Sequence, residues 1–462
     1  MKSTLSIISS FLSIVIILSC FSCAQIGMPT GGPKDTLPPK LIKASPPNNS
    51  LNFQGNKITL TFDEYVNVEG VGDNVIMSPL QKINPAVDYK LRTVTVRLKD
   101  TLLPNTTYSI NFGNAIKDNN EGNPMRNFTY IFSTGNTIDS LEQSGKVIIA
   151  ETGKVDSSLI VLLYRSTDDS AVQKRKPDYI TRLDGKGNFK FKNLSSGTYK
   201  IYALKDGDGG KTYNSKSELF AFADQDIKVS SNNDPITLYA SAAEKDNRIN
   251  AASAPSAFNK DKRLRYTSMN TPQSQELTDP LELNFNKPIK TIDTTKFLLT
   301  DSSNNHITNY SVSLDSTKKI FKLSFDWKEE MKYRLIIDKN AFTDTAKNNL
   351  AKTDTIKINT KKITDYGNVV LRFSNLDLST HPVLLLVNGD AIKYSFPLSA
   401  TEWHGSRIKP GEYEMRILYD ANQNGKWDPG NYSLKKQPEK VTTLPQKLSV
   451  RANWDNEQDI KL

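Results

Sequence analysis

Residues 410–432 read PGEYEMRILYDANQNGKWDPGNY, an alternating strand that runs into an Asp/Asn-rich loop. Residues 196–214, SGTYKIYALKDGDGGKTYN, follow the same plan, with Gly197, Tyr199 and Asp206 in the places of Gly411, Tyr413 and Asp420, each pair 214 positions apart (411 − 197). One element repeated at such long range marks a duplicated domain in a string of domains, not a solenoid.

The rest of the chain fits that reading. Its 462 residues exceed one small core and point to roughly three or four domains. Tyr, Phe, Thr, Ile and Val recur in short runs bounded by Gly and Pro, and no window keeps apolar residues at i, i+3, i+4 and i+7, so an all-β chain is expected. The formal charge is +10, but Lys and Arg are scattered among acids on alternating strand positions, which describes a solvated face and not a nucleic-acid footprint. Both cysteines, Cys20 and Cys23, fall at the start, leaving the body without disulfides or thiolate metal sites. His306, His381 and His404 are far apart and lack zinc-ligand spacing, so they read as surface residues.

Residues 1–23 place an apolar run, Leu5 to Leu18, between Lys2 and the cysteines. The run is too short to span a bilayer comfortably and has the length of a signal-peptide core. With ILSC ending at Cys20 and CFSC ending at Cys23, the segment resembles a bacterial lipoprotein signal, and CAQIGMPTGGPKD resembles the start of mature Bacteroidota lipoproteins. Cys23 is expected to carry the lipid, with Cys20 as the alternative. That implies a palmitate-type membrane anchor at the outer membrane, facing the cell surface. Residues 24–40, rich in Gly and Pro, read as a stalk.

In residues 41–135, KITLTFDEYV turns Ile58, Leu60 and Phe62 inward, TVTVRL does the same with Val94, Val96 and Leu98, and a Pro-Asn turn precedes TTYSINFGNAIKD. With ASPPNN, LTFDEYV, LLPNTTYSINFGNAIKDNNEGN and YIFSTG, this stretch resembles the SbsA-type bacterial Ig-like family, which implies a β-sandwich without common catalytic residues. Asp63 and Glu64 are adjacent and read as a solvated edge. In residues 144–240, about seven strands are expected. Asp184, Gly185, Gly187, Phe189, Phe191, Leu194, Gly197 and Tyr199 give this part a resemblance to transthyretin-like or carboxypeptidase-regulatory-like sandwiches, which are scaffolds. Residues 241–262 read as a linker. LELNFNKPI and KYRLIIDKNAFTDTAKNN then mirror the first domain over residues 263–361, with Phe285 for Phe62 and Tyr333 for Tyr108, and residues 363–462 repeat the second. The expected architecture is four tandem β-sandwiches: Ig-like, transthyretin-like, Ig-like, transthyretin-like.

The strongest chemical constellation is Asp420, Asn422, Asn424 and Asp428, with Gly425 at the sixth place of the loop. Oxygens at positions 1, 3, 5 and 9 with Gly at 6 are how an EF-hand-type loop wraps calcium. Asn431 stands where a bidentate Glu belongs and no helices flank the loop, so weak calcium binding competes with an Asx-rich hairpin covered by Trp427. No other cofactor is expected. The earlier copy, Asp206, Asp208, Gly210 and Asn214, is sparser. Asp-Ser/Thr-apolar triplets at Thr36, Thr101, Ser140, Ser170, Thr345 and Thr355 resemble the Bacteroidota O-glycosylation acceptor. No nucleophile elbow, Cys/His pair or metal-plus-base cluster appears, so an enzyme is not expected. The sequence reads as a structural or protein-interaction lipoprotein. Family context points to an accessory role beside an outer-membrane transport or β-barrel assembly complex, or other envelope proteins. The rival is a glycan-binding surface protein that would use Trp403, Trp427 or Trp454 as a platform.

Overall fold

The structure is a computed structural model that describes residues 34–166, 168–231, 233–244, 263–268, 274–389 and 391–462. The signal stretch with Cys20 and Cys23, most of the stalk and residues 245–262 of the expected linker lie outside the described residues. Among those described, no helix is long and apolar enough to cross a membrane. The chain forms tandem β-sandwiches in two compact units, residues 1–139 and 140–462.

In the first unit, Leu41–Ser45, Lys57–Phe62, Thr93–Arg97 and Ala86–Lys90 form one sheet in that order. Ile76–Ser78, Thr107–Asn111 and Thr129–Ser133 form its partner, and Val66–Val68 pairs with Ile116–Asp118. The period-2 pattern decides the inner faces: Ile58, Leu60, Phe62, Val94 and Val96 are fully buried against Tyr108, Ile110, Tyr130 and Phe132. The tyrosines keep their hydroxyls satisfied at the rim. Tyr108 accepts the Leu103 N–H at 2.7 Å, and Tyr130 donates to the Pro46 carbonyl at 2.9 Å.

The second unit contains three further sandwiches. In the first, Asn188–Leu194, Leu141–Ile149 and Ile236–Ala240 face Tyr179–Arg182, Ile160–Tyr164, Gly197–Leu204 and Phe220–Phe222. Counting Ile227–Val229, it has eight strands where about seven were expected, and it begins at Leu141, three residues before the expected boundary at 144. Ser241, expected to open a linker, is buried and exchanges both backbone hydrogen bonds with Phe220. The next sandwich packs Tyr266–Ser268, Leu281–Phe285, Ile320–Ser324 and Ser311–Leu314 against His306–Ile307, Phe297–Asp301, Lys332–Ile337 and Asp354–Asn359. Tyr366, beyond the expected end of this part, belongs to its core, because the Tyr366 hydroxyl donates to Glu276 and accepts the Leu277 N–H, both at 2.7 Å.

In the last sandwich, Glu402–Ile408, Gly367–Ser374 and Asp455–Lys461 face Ala391–Pro397, Pro382–Asn388, Gly411–Tyr419 and Val441–Val450. It shares two devices with the sandwich that begins at Leu141. The first strand pairs in parallel with the last, Leu141–Ile149 with Ile236–Ala240 and Gly367–Ser374 with Asp455–Lys461. Gly197 and Gly411 also sit at φ 154° and 152°, which favours glycine, so that the following Tyr199 and Tyr413 reach back to the carbonyls of Ser195 and Lys409 at 2.9 and 2.8 Å.

Candidate functional site

The loop after Gly411–Tyr419 is organised by Asp420, which is 2% exposed. Its carboxylate accepts the Asn424 N–H at 3.2 Å and the Gly425 N–H at 2.6 Å. Asn422 accepts from Asn424 N at 3.1 Å, Asn424 accepts from Lys426 N at 2.7 Å, and the amide groups of Asn422 and Asn424 both donate to Asp428. The structure thus gathers the four sequence-identified residues into one loop. The oxygens of Asp420, Asn422 and Asn424 serve backbone N–H groups and Asp428 accepts the two side-chain amides, the arrangement of an Asx-rich hairpin, and a cation would claim the same lone pairs. Asn431 acts elsewhere, for its side chain caps the one-turn helix Tyr432–Leu434, accepting from Leu434 N at 3.2 Å.

Glu439, which sequence spacing did not connect to the loop, closes it. Its carboxylate accepts the N–H groups of Ala421 and Asp428, each at 3.0 Å, and its carbonyl accepts the Trp427 indole N–H at 2.7 Å. The only signal in the sequence was an acid just before the strand at Val441. Burial pushes the Glu439 carboxyl up; the two N–H donors pull it down, and the charges of Asp420 and Asp428 push it up again, leaving it raised. Protonated Glu439 is therefore favoured by the fold. Its contribution is full below the unfolded value of about 4.3 and is lost as pH rises through the folded value. Glu439→Gln, a neutral stand-in, is expected to gain stability relative to the parent as pH goes from 4 to 8. Paired thermal melts check this, and a variant that loses stability relative to the parent over that range would contradict it.

The same loop docks the last sandwich onto the one that begins at Leu141. Tyr432 is 9% exposed and enters a box of Tyr202, Tyr213, Phe220 and Phe222, with ring centroids 5.2 to 6.4 Å away. Its hydroxyl lies 2.8 Å from that of Tyr202 and donates to the Asp169 carbonyl at 2.7 Å. Around it, Val441 N donates to the Ala150 carbonyl at 3.0 Å, Gly430 N to Ser241 at 3.1 Å and the Gln437 amide to the Phe222 carbonyl at 3.0 Å. Asp169 is held by Lys200 at 2.9 Å and Lys435 at 3.0 Å, which keep its carboxyl below the usual range. Nothing local in the sequence announced this contact.

The earlier loop is stitched more loosely. Asp208 accepts from Gly210 N at 2.8 Å and from the Asn214 amide at 3.1 Å, and Asp206 from Lys211 N at 3.2 Å. Two other carboxylates carry more of the fold than their sequence positions revealed. Asp118, 2% exposed, accepts the N–H groups of Asn120, Glu121, Gly122 and Asn123 at 2.6 to 3.0 Å. Asp344, fully buried, accepts from Ala346 N, Asn348 N and the Asn348 amide at 2.8 to 2.9 Å, with Lys287 3.6 Å away. The signal was present as KDNNEGN and TDTAKNN in corresponding places of the first sandwich and of the one that contains Leu281–Phe285.

Among the triplet residues, Thr36, Thr101, Ser140, Thr345 and Thr355 are exposed, whereas Ser170 is half-buried and hydrogen-bonds both oxygens of Asp168 at 2.8 Å. The tryptophans part company. Trp403 packs on Phe396 at 4.7 Å, Trp427 lies over the buried face of Val383, Leu385 and Val387, and Trp454 is exposed with Arg451 over its ring at 5.6 Å. His306 and His404 are exposed, with Glu402 3.0 Å from the His404 ring, and His381 meets the Gln423 amide at 3.3 Å.

No curated protein sequence matches the chain. Among solved structures, native alpha-2-macroglobulin from Escherichia coli, spanning domains MG0-NIE-MG1, shares 14% identity over 40% of this chain and 72% of that one, with a TM-score of 0.21. BcpA, the major pilin subunit of Bacillus cereus, shares 11% over 69% of this chain and 99% of that one, at 0.17. The N-terminal part of the bacterial S-layer protein SbsC shares 17% over 37% and 42%, at 0.17. Scores this low leave those likenesses without weight for role. Residues 35–134 match the family model described as bacterial Ig-like domain, and this match takes in the last residues of the expected stalk.

Proposed function

We propose that the chain is a non-enzymatic envelope lipoprotein, tethered through acylated Cys23 or Cys20, whose tandem sandwiches serve as a structural or protein-interaction body. The observation that carries this reading is the bacterial Ig-like domain at residues 35–134, placed directly after an apolar run and two cysteines. Further support comes from the docking of the last sandwich through Tyr432, which makes a firm body for presenting surfaces to a partner. The location we assign is the outer membrane with the body at the cell surface, and the role is that of an accessory subunit to an envelope assembly such as an outer-membrane β-barrel.

Acyl-chain labelling tests the tether. Label is expected to persist in Cys20→Ala and to vanish in Cys23→Ala; the reverse pattern moves the lipid to Cys20, and label in neither parent nor variants removes the anchor. Purification from membranes in mild detergent tests the role: a barrel or other envelope protein is expected to accompany the chain in fixed ratio. Recovery of the chain alone, with tight glycan binding, would sink it.

A further inference from the structure

Four segments meet at one end of the first unit: residues 34–40, the turn at 63–65, the hairpin tip at 89–92 and the loop at 118–123. Lys40 and Asp63 are joined by two hydrogen bonds, 2.8 Å from Lys40 N to the Asp63 carboxylate and 3.1 Å from Asp63 N to the Lys40 carbonyl. Val66 N donates to the Leu91 carbonyl at 3.0 Å, Asn119 N to the Tyr65 carbonyl at 2.9 Å, and the Asn123 amide to the Asp35 carbonyl at 3.0 Å. Leu37, Tyr65, Tyr89 and Leu91 on these segments are all exposed, Leu91 by 63% and Tyr65 by 52%.

Leu91 is the most telling of them. With Arg92 it forms the two-residue turn between the paired Lys90 and Thr93, and its φ is 55°. Hairpin turns that need a positive φ ordinarily use Gly, Asn or Asp, and a bulky apolar residue there is disfavoured on backbone grounds. The outermost point of the hairpin therefore carries an exposed leucine that the fold does not need, flanked by Lys90 and Arg92. The Arg92 guanidinium lies 5.5 Å from the centre of the Tyr65 ring.

We propose that this end is a membrane-contact surface, with Leu91, Tyr65 and Tyr89 entering the interfacial layer of a phospholipid bilayer and Lys90 and Arg92 meeting its phosphates. Tyrosines with one apolar and one wet end, and cations whose stems lie along apolar neighbours, suit that layer. The hairpin tip at 89–92 carries no acid. On the other three segments Asp118 serves its own loop and Asp63 accepts the Lys40 backbone N–H, while burial and the neighbouring Asp118, Asp63, Asp35 and Glu121 hold the Glu64 carboxyl above its ordinary value. The contact is therefore made by the tip and Tyr65. The chain outside the structure points the same way. It enters the fold at this end, and Cys23 precedes Lys34 by 11 residues (34 − 23), so an acyl anchor keeps the tip within about 40 Å of the bilayer. That step rests on the lipoprotein reading. At so short a tether even weak contact is sustained by the high local concentration of the surface.

The test uses the full chain made in a host that acylates lipoproteins, reconstituted into vesicles of phosphatidylethanolamine and phosphatidylglycerol, and footprinted with hydroxyl radicals. Cleavage at a protease site built into residues 24–33 then releases the body. Oxidation of Leu91, Tyr65 and Tyr89 is expected to rise about threefold or more on release, while Trp454 and Leu434 do not change. Leu91→Asn, which suits the turn, is expected to keep or raise the melting temperature and to weaken vesicle binding of the released body about tenfold, as loss of one buried leucine implies. Equal oxidation of these residues in the tethered protein and in the body once it has left the vesicles overturns the proposal. So does protection that disappears on diluting the protein within the vesicles, since a second copy then covers the tip. If the chain never acquires lipid, the anchor reading fails by itself, and equal vesicle binding by the parent body and Leu91→Asn overturns the contact surface.

Discussion

Tyr432→Ala is expected to release the last sandwich from its neighbour at a cost of about 3–5 kcal/mol, the range for removing a buried aromatic ring. The substitution empties a box formed by Tyr202, Tyr213, Phe220 and Phe222 and takes from the Tyr202 hydroxyl its partner, the hydroxyl of Tyr432 at 2.8 Å. Tyr202 is buried, and burial together with that partner pushes its phenol far above the ordinary range, so it cannot escape its isolation by ionising. Hydrogen exchange is the direct measurement. Amide protection should fall at Val441, which donates to Ala150, and at Gly430, which donates to Ser241. Tyr432→Phe retains the ring and should cost only about 1–2 kcal/mol through the unpaired hydroxyl and the lost bond to Asp169. If the alanine variant exchanges like the parent at both positions, the docking does not depend on Tyr432.

Asp118→Ala is expected to destabilise the first unit by about 3 kcal/mol, because one carboxylate serves four backbone N–H groups and only part of that service can pass to water. For a domain of this size the melting temperature should drop by about 10 °C or more. The pH dependence gives an independent check. Burial raises the Asp118 carboxyl, but the N–H groups of Glu121, Gly122, Asn123 and Asn120 outweigh it and hold the group below its ordinary value. The stabilisation is therefore present above the unfolded value of about 3.9 and is lost as pH falls through the folded one. The variant should lose less stability than the parent on acidification. A variant that melts with the parent at neutral pH would show that the loop holds without its carboxylate.

Much of this fold was legible because it is decided locally. Alternation in KITLTF placed Ile58, Leu60 and Phe62 inside without reference to any other strand. Gly-x-Tyr worked in the same way, since the glycine conformation and the reach of the tyrosine hydroxyl involve only a short stretch of chain. The loop from Asp420 to Asp428 was visible for the same reason. Glu439 was not, because it closes the loop from the approach to the next strand, and Tyr432 was not, because its partners lie far earlier in the chain. Asp118 and Asp344 were visible only by comparing the two repeats, which shows what an isolated acid in a loop conceals. Ser241 looked like linker from composition, yet its backbone extends a ladder through Phe220.

The parallel pairing of first and last strands has a mechanical consequence. In residues 363–462, seven residue pairs from Asn368 with Asp455 to Ser374 with Lys461 join the two ends of the sandwich; residues 141–240 do the same with five, Gly145 with Ile236 to Ile149 with Ala240. A force that separates the ends of such a sandwich runs along both terminal strands in opposite directions. It must shear the whole ladder at once, whereas an antiparallel terminal pair would open one bond at a time from its end. Resistance to such a load is set by the unfolding rate and not by equilibrium stability. Under tension, each of these sandwiches would hold at the pairing of its first and last strands.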